Sequence, residues 1–346
     1  MNNSVRSGIR SAINPSNVNT GSSATLASDT LASDTLMSVV VPNWNGLRFI
    51  AMCLDSLKRS TFDDFEVIVV DNGSVDGSRE LMEEKYPWIR LIRLPKNMGF
   101  AIACNRGIQA AKGKYICLLN NDIEVEPDWL TELYQGMERH PECGMGTTKM
   151  MFLDQRNVFY NTGDLFHAWS SGGGRGQGEK DVGQYEREDT VFGACAGAGI
   201  YRRKLFDRVG VFDEDFFIFA EDVDLNMRSQ LRGFQTVYLP RAKVYHIGTA
   251  TVGLYSDRYV FLCKRNDVLV LIKNFSLKMY CRNFLTILKH QLEDIKYFSY
   301  RGQGIVLLKS KLDALKMLVP MLVRRFRIQC SRTVSDSDIE KIIITE

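Results

Sequence analysis

At 346 residues, 45% hydrophobic and 25% charged, the chain has ordinary globular composition and the length for one large α/β domain or two modest ones. Its net charge of +3 is divided: residues 278 to 332 hold twelve Lys or Arg against Glu293, Asp294 and Asp313, so that segment carries +9 and the remainder −6. A nucleic-acid-binding core is thereby disfavoured, and no stretch is both apolar and charge-free over the length that a membrane span needs.

Residues 1–36 are rich in Ser, Asn and Thr, repeat LASDT in tandem, and lack the apolar block of a signal peptide. They are expected to be disordered, because so few large apolar groups cannot offset ordering entropy, and the chain is expected in the cytoplasm. From Met37 the pattern alternates short apolar runs with helical periodicity: MSVVVPN, a helix near 47–59, FEVIVVD, a helix near 77–86, IRLIRL, a helix near 100–112, and YICLLN. Runs of that length between helices predict βαβ units, hence a mostly parallel sheet buried on both faces. Residues 170–183, SSGGGRGQGEKDVG, read as a mobile loop. Beyond it come VFGACAGAGIY, a helix near 203–209, FDEDFFIF, the helix EDVDLNMRSQLRG, the strand QTVYL and the segment AKVYHIGTATVG. Long helices follow near 257–274, 280–298 and 304–328.

Ligands of parallel α/β sheets bind beyond the carboxyl ends of the strands, so the polar residues there are the candidates. The first strand ends in Pro42, Asn43, Trp44 and Asn45, the second in Asp71, and the fourth in Asn120, Asn121 and Asp122. Asp71 suits either a base or ribose contact or an Asx-turn in DNGS. Asn105, close to the apolar stripe of its helix, needs a partner, either backbone or a nucleotide. Asp122 is a candidate ligand for Mg²⁺ or Mn²⁺, which take oxygen ligands, or else a turn cap. Glu221, Asp222 and Asp224 fill the first turn of a helix, where the dipole favours acids, and Asp224 can pair with Arg228. Asp222 lies off the core stripe and after FFIFA, where partial desolvation would suit a general base. His246 reads as a metal ligand or a buried hydrogen-bonded histidine. The glycines of GACAGAG do not follow the first strand, as a dinucleotide fingerprint must, and are read as sites of close packing or substrate approach. The eight cysteines form no CxxC and sit mostly among apolar residues, which predicts reduced thiols.

Taken together, VVVPNWNG, VVDNGSVDGS, NMGFAIACNRG, LLNNDIEVEPDWL, FDEDFFIFAEDVDLNMRSQLRG and YHIG resemble family 2 glycosyltransferases of the GT-A fold over about residues 37–275. The likeness is to bacterial rhamnosyltransferase-like members that build O-antigen and other surface polysaccharide. It implies inverting transfer of a sugar, rhamnose on the nearest likeness, from a dTDP- or UDP-sugar to a lipid-linked or polysaccharide acceptor. By position it makes Asp222 the base, Asp122 and His246 metal ligands, and Asp71, Asn97 and Asn105 the frame of the nucleotide. Pro42, Asn43, Trp44, Asn45, Gly99, Phe100, Asn121, Glu221 and Arg265 join the donor site. Asn120 stands where the family's first metal-binding acid would be, which weakens the expected cation affinity. A nucleotidyltransferase is the alternative enzyme, but its phosphate loop is missing; a non-catalytic subunit of polysaccharide assembly is the other alternative. Residues 276–346 are expected to form a basic amphipathic helical tail that rests on an anionic membrane.

Overall fold

Val39 and Val41 pack into one apolar cluster and Val40 into another. Successive side chains of a strand point to opposite faces, so an unbroken apolar run demands cover on both sides. The computed structural model describes residues 35–344, apart from 249–252 and 254, and apart from the side chains of Ser170 and Ser171. The disordered reading of residues 1–34, and part of the AKVYHIGTATVG segment, lie outside the described residues. In chain order the elements are β1 (Met37–Asn43), α1 (Ile50–Lys58), β2 (Phe65–Asp71), α2 (Ser78–Lys85), β3 (Arg90–Arg93), α3 (Phe100–Ala110), β4 (Tyr115–Leu119), β5 (Ile123–Val125), α4 (Trp129–Arg139), β6 (Cys143–Phe152), β7 (Phe159–Asn161) and β8 (Asp164–His167). They continue with β9 (Ser170–Gly174), β10 (Asp189–Val191), β11 (Ala198–Arg202), α5 (Arg203–Val209), a 3₁₀ turn at Glu214–Phe216, α6 (Glu221–Leu231), β12 (Gln235–His246), α7 (Asp257–Asn274), α8 (Leu277–Tyr300), α9 (Gly304–Lys316), α10 (Leu318–Ser331) and α11 (Asp336–Glu340).

The main sheet has the order β10-β12-β6-β11-β4-β1-β2-β3. Along it β12, β6, β4, β1, β2 and β3 run one way, and β10 and β11 run against them, so the sheet is mostly parallel, as expected. Ile50, Leu54 and Leu57 of α1 and Trp129, Leu133 and Met137 of α4 cover one face. The α3 helix, α5 and Leu225 of α6 cover the other. Gly107 lets α3 sit against β1, for a Cβ there would lie 2.1 Å from Val40 Cγ1. All described cysteines are free; six are buried or half-buried, while Cys281 and Cys330 are exposed.

Three expectations are corrected. The 170–183 segment is not all loop: β9 pairs antiparallel with β8, Asp164 opposite Gly174 and Leu165 opposite Gly173. Within β9, Gly172 serves close packing, since a Cβ there would meet Leu165 O at 3.2 Å and Val223 Cγ2 at 3.3 Å, while Gly176, Gly178 and Gly183 beyond it have positive φ and serve turns. The helix near 304–328 is two helices parted at Met317, because Pro320 can donate no hydrogen bond to a preceding carbonyl and is tolerated only in a first turn. QTVYL and the run to His246 form one strand, β12, with a register shift between Leu239 and Lys243, beside Pro240. The helix α4 and the long strand β6 are elements that the sequence reading did not include.

The C-terminal helices share a third apolar cluster with α6: Val223, Met227 and Leu231 meet Leu269 and Val270 of α7, Met279 of α8, Ala314 of α9 and Met321 of α10. At its polar edge the Asp224 carboxylate, fully buried, accepts from Arg228 Nε at 2.8 Å, Lys273 Nζ at 2.8 Å and Asn274 Nδ2 at 2.9 Å. Lys273 also reaches Asp213 at 2.6 Å, and Arg324 reaches Asp213 at 2.7 Å. Burial pushes Asp224 up, but Arg228 and Lys273 outweigh it and hold the carboxyl at about 2. The expected Asp224–Arg228 pair is thus one edge of a network joining α6, α7 and α10. Among the described residues no helix is long and apolar enough to cross a membrane.

Candidate active site

The carboxyl ends of β1, β2 and β4 open onto a cavity of about 580 Å³, within the range of small-molecule sites. Of the expected residues, Pro42, Asn43, Trp44, Asn97, Phe100, Asn121, Asp122, Glu221, Asp222 and His246 line it. Asn43 ties the strand tips together. Its Nδ2 donates to Ser78 Oγ at 3.1 Å, Ser74 Oγ at 3.2 Å and Asp71 Oδ1 at 3.3 Å, and its Oδ1 accepts from Asn121 Nδ2 at 2.7 Å. Beside them Asn72 Nδ2 donates to Asn97 Oδ1 at 3.2 Å and to Gly99 O at 3.1 Å.

Five expected residues stand off the cavity wall. Asp71 is fully buried and accepts from Ser74 N and Asn43, so the turn reading describes its contacts. Asn45 has φ 50°, donates its N–H to Ser74 Oγ and accepts from Val75 N, which makes it part of the same turn. Gly99 has φ 99°, and a Cβ there would lie 2.7 Å from Phe217 Cδ2, so its role is to let two loops touch. The Asn105 amide is committed to the backbone of Phe212, donating to its O at 2.9 Å and accepting from its N at 3.0 Å; the backbone alternative describes its contacts. The Arg265 guanidinium faces Asp215 O at 2.9 Å and Phe216 O at 3.0 Å.

Those last contacts explain how the acids are held. Phe217, Phe219 and Ala220, just before α6, all have positive φ, at 65°, 73° and 62°. Such conformations persist only where the surroundings over-determine them. Here Asn266 of α7, fully buried, donates Nδ2 to Phe219 O at 2.7 Å and Phe216 O at 2.9 Å, beside Arg265. The strained segment delivers Glu221 and Asp222 to the cavity.

Asp222 is half-buried; its Oδ2 accepts from Ala196 N at 3.3 Å and its Oδ1 from Val223 N at 2.8 Å. Burial raises its carboxyl above the usual range, with those N–H groups opposing. Glu221 is raised well above the usual range by burial and by the Asp222 charge. A third acid, Asp164 at the start of β8, also lines the wall, and burial with the Asp222 charge pushes it up to about 8. Asn161 Nδ2 at 2.9 Å and Asn226 Nδ2 at 3.1 Å grip its two oxygens. Of these acids, Asp222 accepts from two backbone N–H groups, those of Ala196 and Val223, which oppose the effect of burial and favour its charged form.

On the β4 side, Asp122 Oδ1 lies 3.1 Å from His246 Nε2. The two meet because β5, directly after Asp122, pairs with the end of β12, with Ile123 opposite His246. Among the described residues His246 Nδ1 and Asn120 Oδ1 are buried without a hydrogen-bond partner. A carboxylate, an imidazole and a nearby amide oxygen on one wall fit a divalent cation that keeps its other positions for water and phosphate oxygens.

The sequence reading missed Asn72, Tyr160, Asp164, Arg258 and Tyr259 as wall residues. Asn72 was in view, one residue past Asp71 in a strand already marked. Arg258, in the first turn of α7 with its guanidinium 5.5 Å from the Phe217 ring centroid, brings a cation to the wall that Arg265 does not. No local signal sets it apart from other surface arginines.

The model of the family described as Glycosyl transferase family 2 matches residues 38–210. An N-acetylglucosaminyl-diphospho-decaprenol L-rhamnosyltransferase of Mycobacterium tuberculosis is 26% identical over 260 residues, 64% of this chain and 80% of that protein. The O-antigen biosynthesis protein RfbC of Myxococcus xanthus is 28% identical over 62% of this chain, which spans only 17% of that much longer protein. An uncharacterized protein y4gI of Sinorhizobium fredii, 27% identical over 63% of this chain, is likewise spanned over 25% of its length. Among solved structures, S. aureus TarS 1-349 superposes with TM-score 0.53 at 17% identity, covering 86% of this chain and 91% of that one. GalNAc-T7, crystallised with UDP, GalNAc and Mn²⁺, gives 0.56 at 16% identity over 70% of this chain and 48% of that one. These structural likenesses speak for the fold.

Proposed function

The chain belongs to glycosyltransferase family 2, and we propose that it transfers a sugar, with inversion, from a nucleotide-diphosphate donor to a hydroxyl of a lipid-linked or polysaccharide acceptor. One observation carries the reading: Asp222, a carboxylate oriented by two backbone N–H groups, shares a cavity with the Asp122–His246 pair and with the amide-lined strand tips. The sheet order β2-β1-β4-β11 sets these groups side by side. Asn43, Asn72, Asn97 and Phe100 at the β1 and β2 end frame the nucleoside. The centre, with Asp122 and His246, meets the diphosphate. The far wall, with Asp222 and Asp164, meets the acceptor.

Inversion requires attack from the face opposite the leaving group, with one carboxylate as base. Asp222 takes the proton of the acceptor hydroxyl as that oxygen bonds to the anomeric carbon and the bond from that carbon to the diphosphate breaks. The Ala196 and Val223 N–H groups fix the orientation of the carboxylate. A divalent cation held by Asp122 and His246 would offset the charge that develops on the departing diphosphate. Arg258 adds a positive charge at the same wall. The M. tuberculosis relative's name supports rhamnose as the sugar and a diphospho-lipid as the acceptor.

Titration with UDP, dTDP and GDP, each with Mg²⁺, Mn²⁺ or EDTA, tests the donor side without needing the acceptor. One nucleotide is expected to bind, and EDTA or Asp122→Asn is expected to weaken it at least tenfold, about 1.4 kcal/mol. No binding of any diphosphate to the wild-type chain would overturn the reading.

A further inference from the structure

The C-terminal helices bury one side each and leave the other uncovered. Inward, Met279 and Phe298 of α8, Leu307 and Ala314 of α9 and Met321 of α10 are no more than 5% exposed. Outward on α8, Leu285, Leu288, Leu292 and Ile295 recur at intervals of three, four and three residues and are 76%, 43%, 57% and 53% exposed. On α9 and α10, Ile305, Leu312, Val319 and Phe326 recur every seven residues and are 70%, 50%, 70% and 71% exposed, with Leu308, Leu315 and Leu322 between them. Within each helix such spacing keeps side chains on one face, so α8, α9 and α10 each carry an apolar stripe rather than scattered surface leucines.

The charge beside the stripes says what covers them. Lys289 and Lys296 directly follow Leu288 and Ile295, and Lys309 and Lys316 directly follow Leu308 and Leu315; all four are exposed. The opposite flanks hold Gln291, Asp294, Lys311 and Arg325; Asp294 is paired with Lys264 at 2.9 Å, and Asp313, which follows Leu312, is paired with Lys316 at 3.4 Å and Arg265 at 3.6 Å, so neither acid is left to meet a partner's lysines. A second copy of the chain seated on these seams would set like charges face to face, since helix pairing needs complementary flanks. Glu293, the other acid beside the α8 stripe, is engaged by His290 at 3.0 Å. An apolar stripe edged by lysines complements a layer that is apolar inside and anionic at its surface.

We propose that the outer faces of α8 and of α9–α10 dock this protein on an anionic lipid bilayer, with the leucine stripes in the acyl boundary and the lysines among the headgroups. The turn between α8 and α9 fixes where the cavity stands relative to that surface. Gln303 Nε2 donates to Tyr255 O at 3.0 Å and Asp257 Oδ1 at 2.8 Å, and the Arg301 guanidinium lies 4.8 Å from the Tyr255 ring centroid. The docking face is therefore tied to the start of α7, whose Arg258 and Tyr259 line the cavity, within reach of a lipid-anchored acceptor.

Flotation of the full chain with phosphatidylcholine vesicles, with and without about 30% phosphatidylglycerol, tests the proposal. Flotation is expected with the anionic vesicles and not with phosphatidylcholine alone. Leu285→Glu/Leu292→Glu/Leu312→Glu is expected to weaken it more than about tenfold, and Lys289→Gln/Lys296→Gln about fivefold per charge removed, with unchanged melting temperatures because these side chains are exposed. Absence of flotation with anionic vesicles, or equal flotation of the triple variant, would overturn the proposal. So would light scattering that shows a wild-type dimer dissociated by the triple variant without lipid binding, which would assign the stripes to a second copy. The measurement reads binding alone, so its outcome is independent of the proposed chemistry.

Discussion

Asp222 and Asp164 face one cavity with opposite tasks, and their titrations separate them. A base must be ionised, and Asp222 is raised by burial, so kcat/KM is expected to fall on the acid side at a higher pH than an exposed aspartate would give. Asp164 acts through stability. Unfolded it ionises near 3.8, and folded at about 8; between those values the unfolded state binds fewer protons, so stability declines as pH rises across that window. Denaturant midpoints taken from pH 4 to 8 check this, with Asp164→Asn expected to flatten the decline. Asn266 is the positioning residue: Asn266→Ala removes the side-chain donor shared by the carbonyls of Phe216, Ile218 and Phe219, loosens the strained segment, and is expected to lower kcat by about tenfold or more with little change in donor KM. Equal loss in kcat and in melting temperature, with donor KM raised, would instead mark a general packing role. At this scale Asp122, His246 and Asp222 were legible because polar groups that interrupt apolar runs stand out. Asp71 and Asn105 were marked by the same logic; Asp71 accepts from Ser74 N and the Asn43 side chain, and Asn105 pairs with the backbone of Phe212. A sequence tells that a buried amide has a partner and not which one.

Element boundaries followed from caps and breakers where these were local, and failed where they were not. β1, α5 and α7 begin and end where the pattern placed them, whereas β9 is a glycine run that composition reads as loop. It becomes a strand because β8 offers a partner, with Val223 packed close over Gly172, and neither fact is visible within residues 170–183. The Asp224 network is similarly non-local: an i, i+4 pair was readable, whereas Lys273, Asn274 and Asp213 arrive from distant segments. It makes the strongest stability prediction. Asp224→Ala takes the paired carboxylate from Arg228, 7% exposed, and leaves Lys273, 3% exposed, with Asp213, and is expected to destabilise the fold by roughly 3–5 kcal/mol in urea unfolding. Loss below about 1 kcal/mol would mean that Asp213 and water take over both cations.

For the whole molecule, the parallel sheet was legible because βαβ periodicity is local and repeated, and because a sheet buried on both faces leaves no alternation to misread. The antiparallel insertion of β11 between β4 and β6 was not, since register between strands far apart in sequence leaves no periodic mark. The inward face of the tail was hidden for the same reason: basic composition announces a surface, while Met279, Ala314 and Met321 show how the helices attach to α6 and α7. In the proposed reaction donor, cation and base line up across the carboxyl ends of β2, β1 and β4, and the chemistry turns on Asp222. Turnover of UDP-, GDP- and dTDP-sugars by wild type and Asp222→Asn, with a diphospho-lipid acceptor and Mn²⁺, tests it most directly. One donor turned over by wild type, with a loss of about 10²–10⁴-fold in the variant at unchanged melting temperature, is the predicted result. Turnover by Asp222→Asn within about threefold of wild type, well short of the loss a removed base produces, would contradict it.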